Sequence, residues 1–418
     1  MQIKSISVEN FKALRKPGLV RLKPFSVIIG NNGSGKSSLM EAVETYRRVV
    51  VSGVDSAMEH WQGFEHIRHK SAQPRQTSDV DPTKQQNAMK FVLNVALNKK
   101  SAKLKLDINT RDAGNLLYIQ NEQFEMGDYS LVRNAVGRRG RQSLGLVNSQ
   151  NLNVDVQNAL KTIEGGESLL PYLSAFNEIT QGLRGMLFLR LNPDAIGQLQ
   201  SVTRTERRIQ LASDGANIAE YLIDLRERSS SAFEDVTRAL QYVLPYASDV
   251  EPKVLDAGVL RRSYVQLLED KYEIPGWLMS SGSLRVLPLI ATLLDPAPPP
   301  VVFIEEVENG LDPRTVGLVV DLMRAAACSG RTQVIATTHS PYLLDMLDLD
   351  DVLLCERSAK GPAFSWPASR KEMNAWRDRF MPGKLYTMNA LQHEPKAPIA
   401  DDIRQEGEAP ARGWGEEE

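Results

Sequence analysis

Residues 30–37 form the pattern that most constrains how this chain folds. They read GNNGSGKS, which matches G-x-x-x-x-G-K-[ST]. Glycines let backbone N–H groups turn toward phosphate oxygens, while the lysine reaches the terminal phosphates and the last hydroxyl binds Mg²⁺. The apolar run before the loop and the helical run after it predict a strand, a loop and a helix whose N-terminus holds phosphate. We therefore predict a nucleotide site formed by Asn31, Asn32, Gly33, Ser34, Gly35, Lys36, Ser37 and Ser38.

Composition limits the classes of protein that fit. The chain has 418 residues, and 50 basic against 52 acidic side chains leave a net charge of −2. This balance argues against a globally basic nucleic-acid binder. The two cysteines, Cys328 and Cys355, lie far apart, which favours a reducing, cytoplasmic location. No apolar run approaches the roughly 20 residues of a membrane span, so we expect no membrane association.

Periodicity outlines the rest of the chain. Alternating runs predict a first strand around Ile3, an antiparallel meander over 90–125 and a strand pair within 253–269. Residues 155–250 look mainly helical, with a strand-like run at 186–189. Later elements are predicted as a helix at 281–294, a strand at 301–305, a helix at 313–327, a strand at 332–337 and a last strand near 352–355.

These elements predict five segments in an α/β protein. They are an N-terminal lobe with the P-loop and a β meander (1–150), a mainly helical insertion (151–280), a C-terminal lobe (281–360), a C-terminal extension (361–393) and a disordered acidic tail (394–418).

An apolar strand followed by two acids supplies the second part of a nucleotide site. After 301–304, Glu305 is placed to hold Mg²⁺ and Glu306 to orient or deprotonate an attacking water. The simpler interpretation is a buried strand that ends in solvated acids. The P-loop upstream favours the catalytic interpretation.

Two further segments fit a phosphate site. His339 follows the strand-like run 333–336, where it could contact a γ-phosphate and sense its loss. In 279–285 (MSSGSLR), small residues lead into an apolar helix, so Ser280 and the helix N–H groups could bind phosphate. A bystander histidine and a plain serine N-cap are the simpler interpretations of these residues.

Taken together, these motifs resemble ABC-type ATPases of the RecF and SMC branch, and most of all the stand-alone ATPases related to OLD proteins. The likeness rests on IKSISVENFKAL at the start, the P-loop, 279–285, IEEVENGLDP and TTHSP. It implies a P-loop ABC-ATPase head with a mixed sheet, an antiparallel β lobe and a helical insertion, using ATP and Mg²⁺. It also implies that Ser280 and Gly282 complete an ATP site on a second copy, that Asp312 lies in the dimer loop and that His339 is the switch histidine.

The sequence departs from the family pattern at a few positions. Val307 and Asp312 replace a common proline and histidine, and Glu305 replaces the aspartate of many P-loop enzymes. Gln62 is the candidate for the glutamine that links Mg²⁺ to the other lobe.

The resemblance also bears on metal-dependent cleavage. The carboxylates of the OLD nuclease domain are not found after Cys355, and 348–351 is predicted to be a turn. His60, His66 and His69 match no common metal-site spacing, so we place them in a loop near the nucleotide or the dimer face.

Several functions remain open from sequence. The first is an ATPase whose closure, as a dimer or a higher oligomer, controls an effector protein encoded nearby, as in two-gene anti-phage systems. The others are a DNA-repair ATPase and a nucleotide-gated scaffold, while a transporter subunit is disfavoured. Contact with DNA or RNA would use a basic cluster, which could equally be a solvated loop; its members are Arg133, Arg138, Arg139 and Arg141.

Overall fold

The computed structural model describes most of the chain. The described residues are 1–72, 88–97, 100–111, 116–136, 141–147, 165–202, 208–257, 260–358, 361–377 and 379–392. The predicted tail, 394–418, lies outside them, as do Arg138 and Arg139. In the described ranges, no helix combines the length and apolar character needed to cross a membrane.

The strands fall into three sheets. In chain order they are β1 Gln2–Glu9, β2 Leu19–Arg21, β3 Phe25–Ile29, β4 Met89–Leu97, β5 Lys100–Arg111, β6 Leu116–Met126, β7 Tyr129–Val136, β8 Arg141–Val147, β9 Leu187–Leu189, β10 Gln200–Ser201, β11 Asp249–Ala257, β12 Leu260–Glu269, β13 Tyr272–Pro275, β14 Val301–Ile304, β15 Gln333–Thr338, β16 Val352–Ser358 and β17 Gly361–Ser365.

Helices connect and cover these sheets. They are α1 Lys36–His60, α2 Phe64–Ile67, α3 Asn177–Arg184, α4 Pro193–Ile196, α5 Ile218–Arg228, α6 Ser230–Val243, α7 Ser281–Leu294, α8 Pro313–Cys328, α9 Pro341–Leu344, α10 Met373–Arg377 and α11 Pro382–Thr387.

The central sheet is mixed and has the order β17-β16-β3-β15-β14-β9. Its strands are parallel except for β17, which pairs antiparallel with β16 at one edge. Strands from three distant parts of the chain therefore meet side by side. Because the carboxyl ends of parallel strands share one edge, the residues that follow β3, β9, β14 and β15 gather there.

Both faces of this sheet are buried, which explains its nearly continuous apolar strands. Alternate residues enter two different cores. Phe303 and Ile335 join α1 and the seven-stranded sheet in the first core, whereas Val302 and Val334 pack with α5–α8 in the second. Packing on both faces therefore fixes the position of the sheet edge that carries the polar residues.

The other two sheets are antiparallel. The seven-stranded sheet has the order β2-β1-β4-β5-β6-β7-β8, which confirms the predicted first strand and meander. The third sheet contains β10–β13, so the 151–280 segment holds more strand than predicted. The strand predicted near 352–355 is present as β16. It is not the last strand, however, because β17 follows it and pairs with it antiparallel at the edge of the sheet.

The prediction of a surface-exposed basic cluster is wrong at Arg133. This side chain is 2% exposed and pairs with the buried carboxylate of Glu122 at 3.0 Å. It also donates to the Glu167 carbonyl at 2.6 Å. A guanidinium buried in this way joins β6 and β7 to the segment before α3 and cannot contact nucleic acid.

Candidate nucleotide site

The P-loop joins β3 to α1 at the polar edge of the central sheet. Gly35, the N-cap of α1, has φ of 117°, a left-handed conformation that favours glycine. No side chain caps this helix and its first turn carries no acid. The first N–H groups of a 25-residue helix are therefore suited to bind an anion, with Ser37 and Ser38 partly exposed in that turn.

Close packing behind the loop explains Gly30. A Cβ atom there would lie 2.1 Å from the carbonyl oxygen of Cys355 on β16. The Cys355 thiol donates to the Ser34 carbonyl at 3.5 Å, and burial raises the pKa of this thiol to about 11. Cys355 is thus a protonated packing residue that supports the loop.

Lys36 lies inside the loop. Its Nζ donates to the carbonyls of Gly30 at 2.6 Å and Asn31 at 3.1 Å. Burial lowers the pKa of Lys36, while Glu305, Glu306 and other nearby groups act in the opposite direction. A partly desolvated ammonium with acids around it is a strong binding group for phosphate.

His339 links the P-loop to the acidic strand end. Its Nδ1 lies 3.5 Å from Lys36 Nζ, and its Nε2 lies 3.6 Å from a Glu306 carboxylate oxygen. The His339 N–H donates to Glu308 Oε1 at 2.6 Å. Sequence reasoning gave Glu308 no role, although it lies in the same acidic segment. The structure thus brings together three side chains predicted separately.

Glu306 has an uncommon backbone conformation, with φ of 50°. Such strain in a non-glycine residue persists when the surroundings hold it, and here the Glu306 N–H donates to Thr337 Oγ1 at 3.0 Å. The carboxylate is 49% exposed. It lines an open pocket of about 570 Å³ with Asn31, Asn32 and His339.

Sequence reasoning missed Arg190, which contacts Glu305. It follows β9 directly and donates to Glu305 at 2.7 Å and to Glu44 of α1 at 2.7 Å. The sequence feature that could have indicated Arg190 is its position directly after a strand-like run. If that strand is parallel to the acidic strand, both end at the same sheet edge. Arg190 therefore joins the P-loop helix to the acidic strand.

Removing Arg190 is expected to destabilise the fold. Burial would raise the pKa of Glu44, but Arg190 and Arg48 more than offset this and hold the pKa below its usual value. Arg190→Met leaves the 2%-exposed Glu44 with Arg48 as its one remaining arginine partner. We therefore expect the free energy of unfolding in urea at pH 7 to fall by about 2 kcal/mol, less than for a fully unpaired buried charge.

The pH dependence of this loss follows from the lowered pKa of Glu44. A depressed carboxylate pKa contributes stability above the unfolded pKa, and that stability disappears as pH falls through the folded pKa. The difference in the free energy of unfolding between Arg190→Met and the wild type should therefore become smaller below about pH 4.3. Arg238→Met, which breaks an exposed pair with Asp235, is the control. An equal effect of the two variants would contradict this role.

The C-terminal end of α1 lies close to the first half of the same helix. Gly53, with φ of 84°, interrupts α1, and His60 lies 3.8 Å from Glu44. Lys12 pairs with Glu41 at 2.8 Å and lies over the Trp61 ring. Gln62, the predicted linking glutamine, is exposed next to Trp61; its role stays a prediction.

The signature residues lie apart from the P-loop. Ser280 is the exposed N-cap of α7, and its hydroxyl accepts from Ser283 N–H at 3.1 Å. A Cβ at Gly282 would approach the Gly310 carbonyl to 2.7 Å. In the described ranges, no hydrogen bond joins Ser280 to the P-loop, and Ser280 lines a different pocket from Asn31 and Asn32.

The remaining predicted residues have local roles. Asp312 caps α8 by accepting from the N–H groups of Arg314 and Thr315. His60 and His69 contact different partners, Glu44 and Ser71. Within the part of the chain that is described, no group of three or more His, Cys, Asp or Glu side chains could hold a metal ion. A short 3₁₀ turn, Leu349–Asp351, precedes β16 as expected.

Two protein-family models match the chain. One, described as an AAA domain, putative AbiEii toxin, type IV TA system, covers residues 25–345, and an AAA ATPase domain covers residues 1–48. The first match takes in the P-loop, the acidic strand and His339. The chain belongs to this AAA ATPase family. It is therefore an ATPase, and the predicted class of enzyme is confirmed.

The AAA ATPase also resembles solved structures. The SmcHead bound to the C-winged helix domain of ScpA is 12% identical with a TM-score of 0.49, over 90% of this chain and 100% of that one. The SMC head domain from Thermotoga maritima is 13% identical with a TM-score of 0.41, over 87% and 98%. The Smc head domain from Pyrococcus furiosus with an extended coiled coil, bound to the C-terminal domain of ScpA, is 11% identical with a TM-score of 0.48, over 90% and 99%. A search of curated proteins finds no match.

The residues of the AAA ATPase site fit ATP and Mg²⁺. The uncapped start of α1 and the Lys36 ammonium suit phosphate oxygens. The Ser37 hydroxyl and the Glu305 carboxylate are hard oxygen donors, the type that Mg²⁺ prefers. When bound, Mg²⁺ would neutralise charge on the phosphates.

Proposed function

We propose that this AAA ATPase hydrolyses ATP between Lys36, Glu306 and His339, and that subunit closure on ATP controls an effector protein in anti-phage defence. The observation that supports the hydrolytic part most strongly is the contact of His339 with both other side chains, at 3.5 and 3.6 Å. A cation, an imidazole and a carboxylate then surround one point at the sheet edge, where a γ-phosphate would lie.

Each residue has a distinct role in this proposal. Lys36 binds the terminal phosphates, and His339 contacts the γ-phosphate and responds to its loss. Glu306, whose exposed carboxylate faces the pocket, accepts a proton from the attacking water. Ser37 and Glu305 hold Mg²⁺, and Arg190 keeps the Glu305 carboxylate in place through its 2.7 Å contact.

We also propose that two copies share each ATP site. Ser280 is exposed at the start of α7, and that helix start packs against the loop after the acidic strand. A phosphate bound to the P-loop of a second copy would meet the Ser280 hydroxyl and Gly282. Closure on ATP would then link nucleotide state to subunit arrangement.

Ser280→Arg is expected to block ATP-stabilised dimer formation while ATP binding at Lys36 persists. The larger side chain fills the space where a second copy's phosphate would lie. Light scattering with ATP measures dimer formation, and titration of a fluorescent nucleotide measures binding. Ser230→Arg, at the exposed start of α6, is the control. ATP-dependent dimers of the Ser280 variant would contradict the shared site. If the resting protein is already a dimer, the variant should fail to close and hydrolyse.

The effector part of the proposal has three supports. The family description includes a putative toxin of a type IV toxin–antitoxin system, a setting in which products of two genes act together. The sequence also resembles OLD-like ATPases of anti-phage systems. In addition, Trp277 and Leu278 are 46% and 70% exposed in the turn that leads to Ser280, and Tyr272 is 75% exposed on the preceding strand β13. Large exposed apolar side chains close together mark a surface for a protein partner.

A phage challenge tests this role. Cells carrying the complete locus should survive infection, whereas cells with Lys36→Ala or Glu306→Gln should not. The tagged chain should retain the product of the adjacent gene in an ATP-dependent manner, and Leu278→Asp should reduce that retention. Full protection by the Lys36 variant would refute a defence role that depends on ATP.

A further inference from the structure

Tyr386 of α11 reaches the P-loop from the C-terminal extension. Its hydroxyl donates to Asn31 Oδ1 at 3.1 Å, and its ring lines the open pocket together with Glu306 and His339. We infer that Tyr386 is a positioning residue that orients Asn31 toward the γ-phosphate of a bound nucleoside triphosphate. This inference rests on the proposed ATP site and assigns a role to the extension.

Close backbone contacts hold α11 on α9. The Gly383 N–H donates to Asp345 Oδ1 at 2.7 Å, and a Cβ at Gly383 would lie 2.0 Å from the Pro341 carbonyl oxygen. Leu385 is fully buried in the second core. The helix therefore has little freedom to move relative to α9, so the position of Tyr386 is set by tertiary packing.

The same contacts connect Tyr386 to His339. The helix α9 begins at Pro341, with Ser340 as its N-cap, and His339 is the residue before that cap. Tyr386 and His339 are thus carried by elements that pack directly on each other. Both residues line the pocket that also contains Glu306, where the γ-phosphate lies in the proposed site.

Amide chemistry explains what the contact does. When the amide oxygen of Asn31 accepts the Tyr386 proton, the –NH₂ group is the remaining polar end of that side chain, with two donors. Burial raises the pKa of Tyr386, so its hydroxyl remains a proton donor at neutral pH. The backbone oxygen of Asn31 accepts from Lys36 at 3.1 Å. Asn31 is therefore held at two points, with its amide donors available to an anion.

The test compares triphosphate and diphosphate binding. Fluorescent ADP and a non-hydrolysable fluorescent ATP analogue are titrated with Mg²⁺ against the full chain. Tyr386→Phe should weaken ATP-analogue binding about fivefold to tenfold, the loss of one hydrogen bond, and leave ADP affinity within about twofold of wild type. Tyr342→Phe, a half-exposed tyrosine on α9, is the matched control and should change neither affinity.

A double-mutant cycle separates positioning from general stability. Asn31→Ala should cause the same selective loss, and adding Tyr386→Phe to it should cost nothing more. Gly383→Ala, which displaces α11 from α9, should reproduce the selective loss. Equal weakening for both nucleotides, additive effects in the cycle, or no change in Tyr386→Phe would each overturn the inference. If Tyr386→Phe fails to fold, the absence of a selective loss in Asn31→Ala overturns it equally. Failure of the wild-type chain to bind either nucleotide would instead overturn the ATP site itself.

Discussion

Replacing Lys36 by alanine is expected to remove measurable ATP binding. Lys36 is 5% exposed, and its ammonium contacts two loop carbonyls and His339. A charge-assisted bond to phosphate in such a place carries enough free energy that we expect affinity to fall roughly 100-fold or more. Isothermal titration with Mg²⁺–ATP measures the change.

Lys16→Ala serves as the control, because Lys16 is 75% exposed and pairs only at the surface with Glu9. A pH series sharpens the test. Since burial lowers the pKa of Lys36, its positive charge is lost at a lower pH than that of an ordinary lysine. ATP affinity of the wild type should therefore decline at alkaline pH. Wild-type affinity in Lys36→Ala would refute the P-loop assignment.

Glu306→Gln is expected to keep ATP binding and to lower turnover roughly 100-fold or more, the scale of a lost general base. Glutamine has nearly the same size and can keep the contact with Asn309, but it cannot accept a proton from water. Steady-state phosphate release and nucleotide titration on the same preparation separate the two effects.

Glu234→Gln, an exposed position on α6, controls for loss of a surface charge. Glu305→Gln distinguishes the two acids, because it should raise the Mg²⁺ concentration needed for tight ATP binding. Unchanged turnover in Glu306→Gln would assign the attacking water to another group. If Glu306→Gln weakened ATP binding as much as it lowered turnover, Glu306 would instead be assigned to Mg²⁺ binding.

Residues near one another in the sequence were the easiest to predict. The P-loop, the strand β14 with its two acids, and the helix 281–294 all follow from local patterns, and the structure has that helix at the predicted residues. Glu306 and His339 were also placed correctly at strand ends. Because parallel strands end at one edge of a sheet, the sequence predicted that Glu306 and His339 lie near each other. It did not predict their direct contact.

Contacts between distant residues could not be predicted in this way. Arg190 reaches Glu305 because β9 pairs with β14. The sequence around 186–189 does not indicate which strand lies beside β9. Arg133 was predicted in a basic surface cluster because the acid that pairs with it, Glu122, belongs to the adjacent strand β6. The pattern of charged residues along a sequence does not show that a charged side chain is buried when its ion-pair partner belongs to another strand.

The sequence by itself determined the proposed roles of the loop and of the acidic strand end. Those roles need particular backbone conformations and charges within a few consecutive residues, and glycine, lysine, serine and glutamate meet those needs locally. Only the tertiary structure decided which groups surround the loop. Tyr386 and Asn31 are 355 positions apart, and they meet because Gly383 lets α11 pack closely on α9 and because burial of Leu385 fixes that packing. Such contacts depend on how apolar surfaces fit together across the whole chain, and no local pattern of residues specifies that fit.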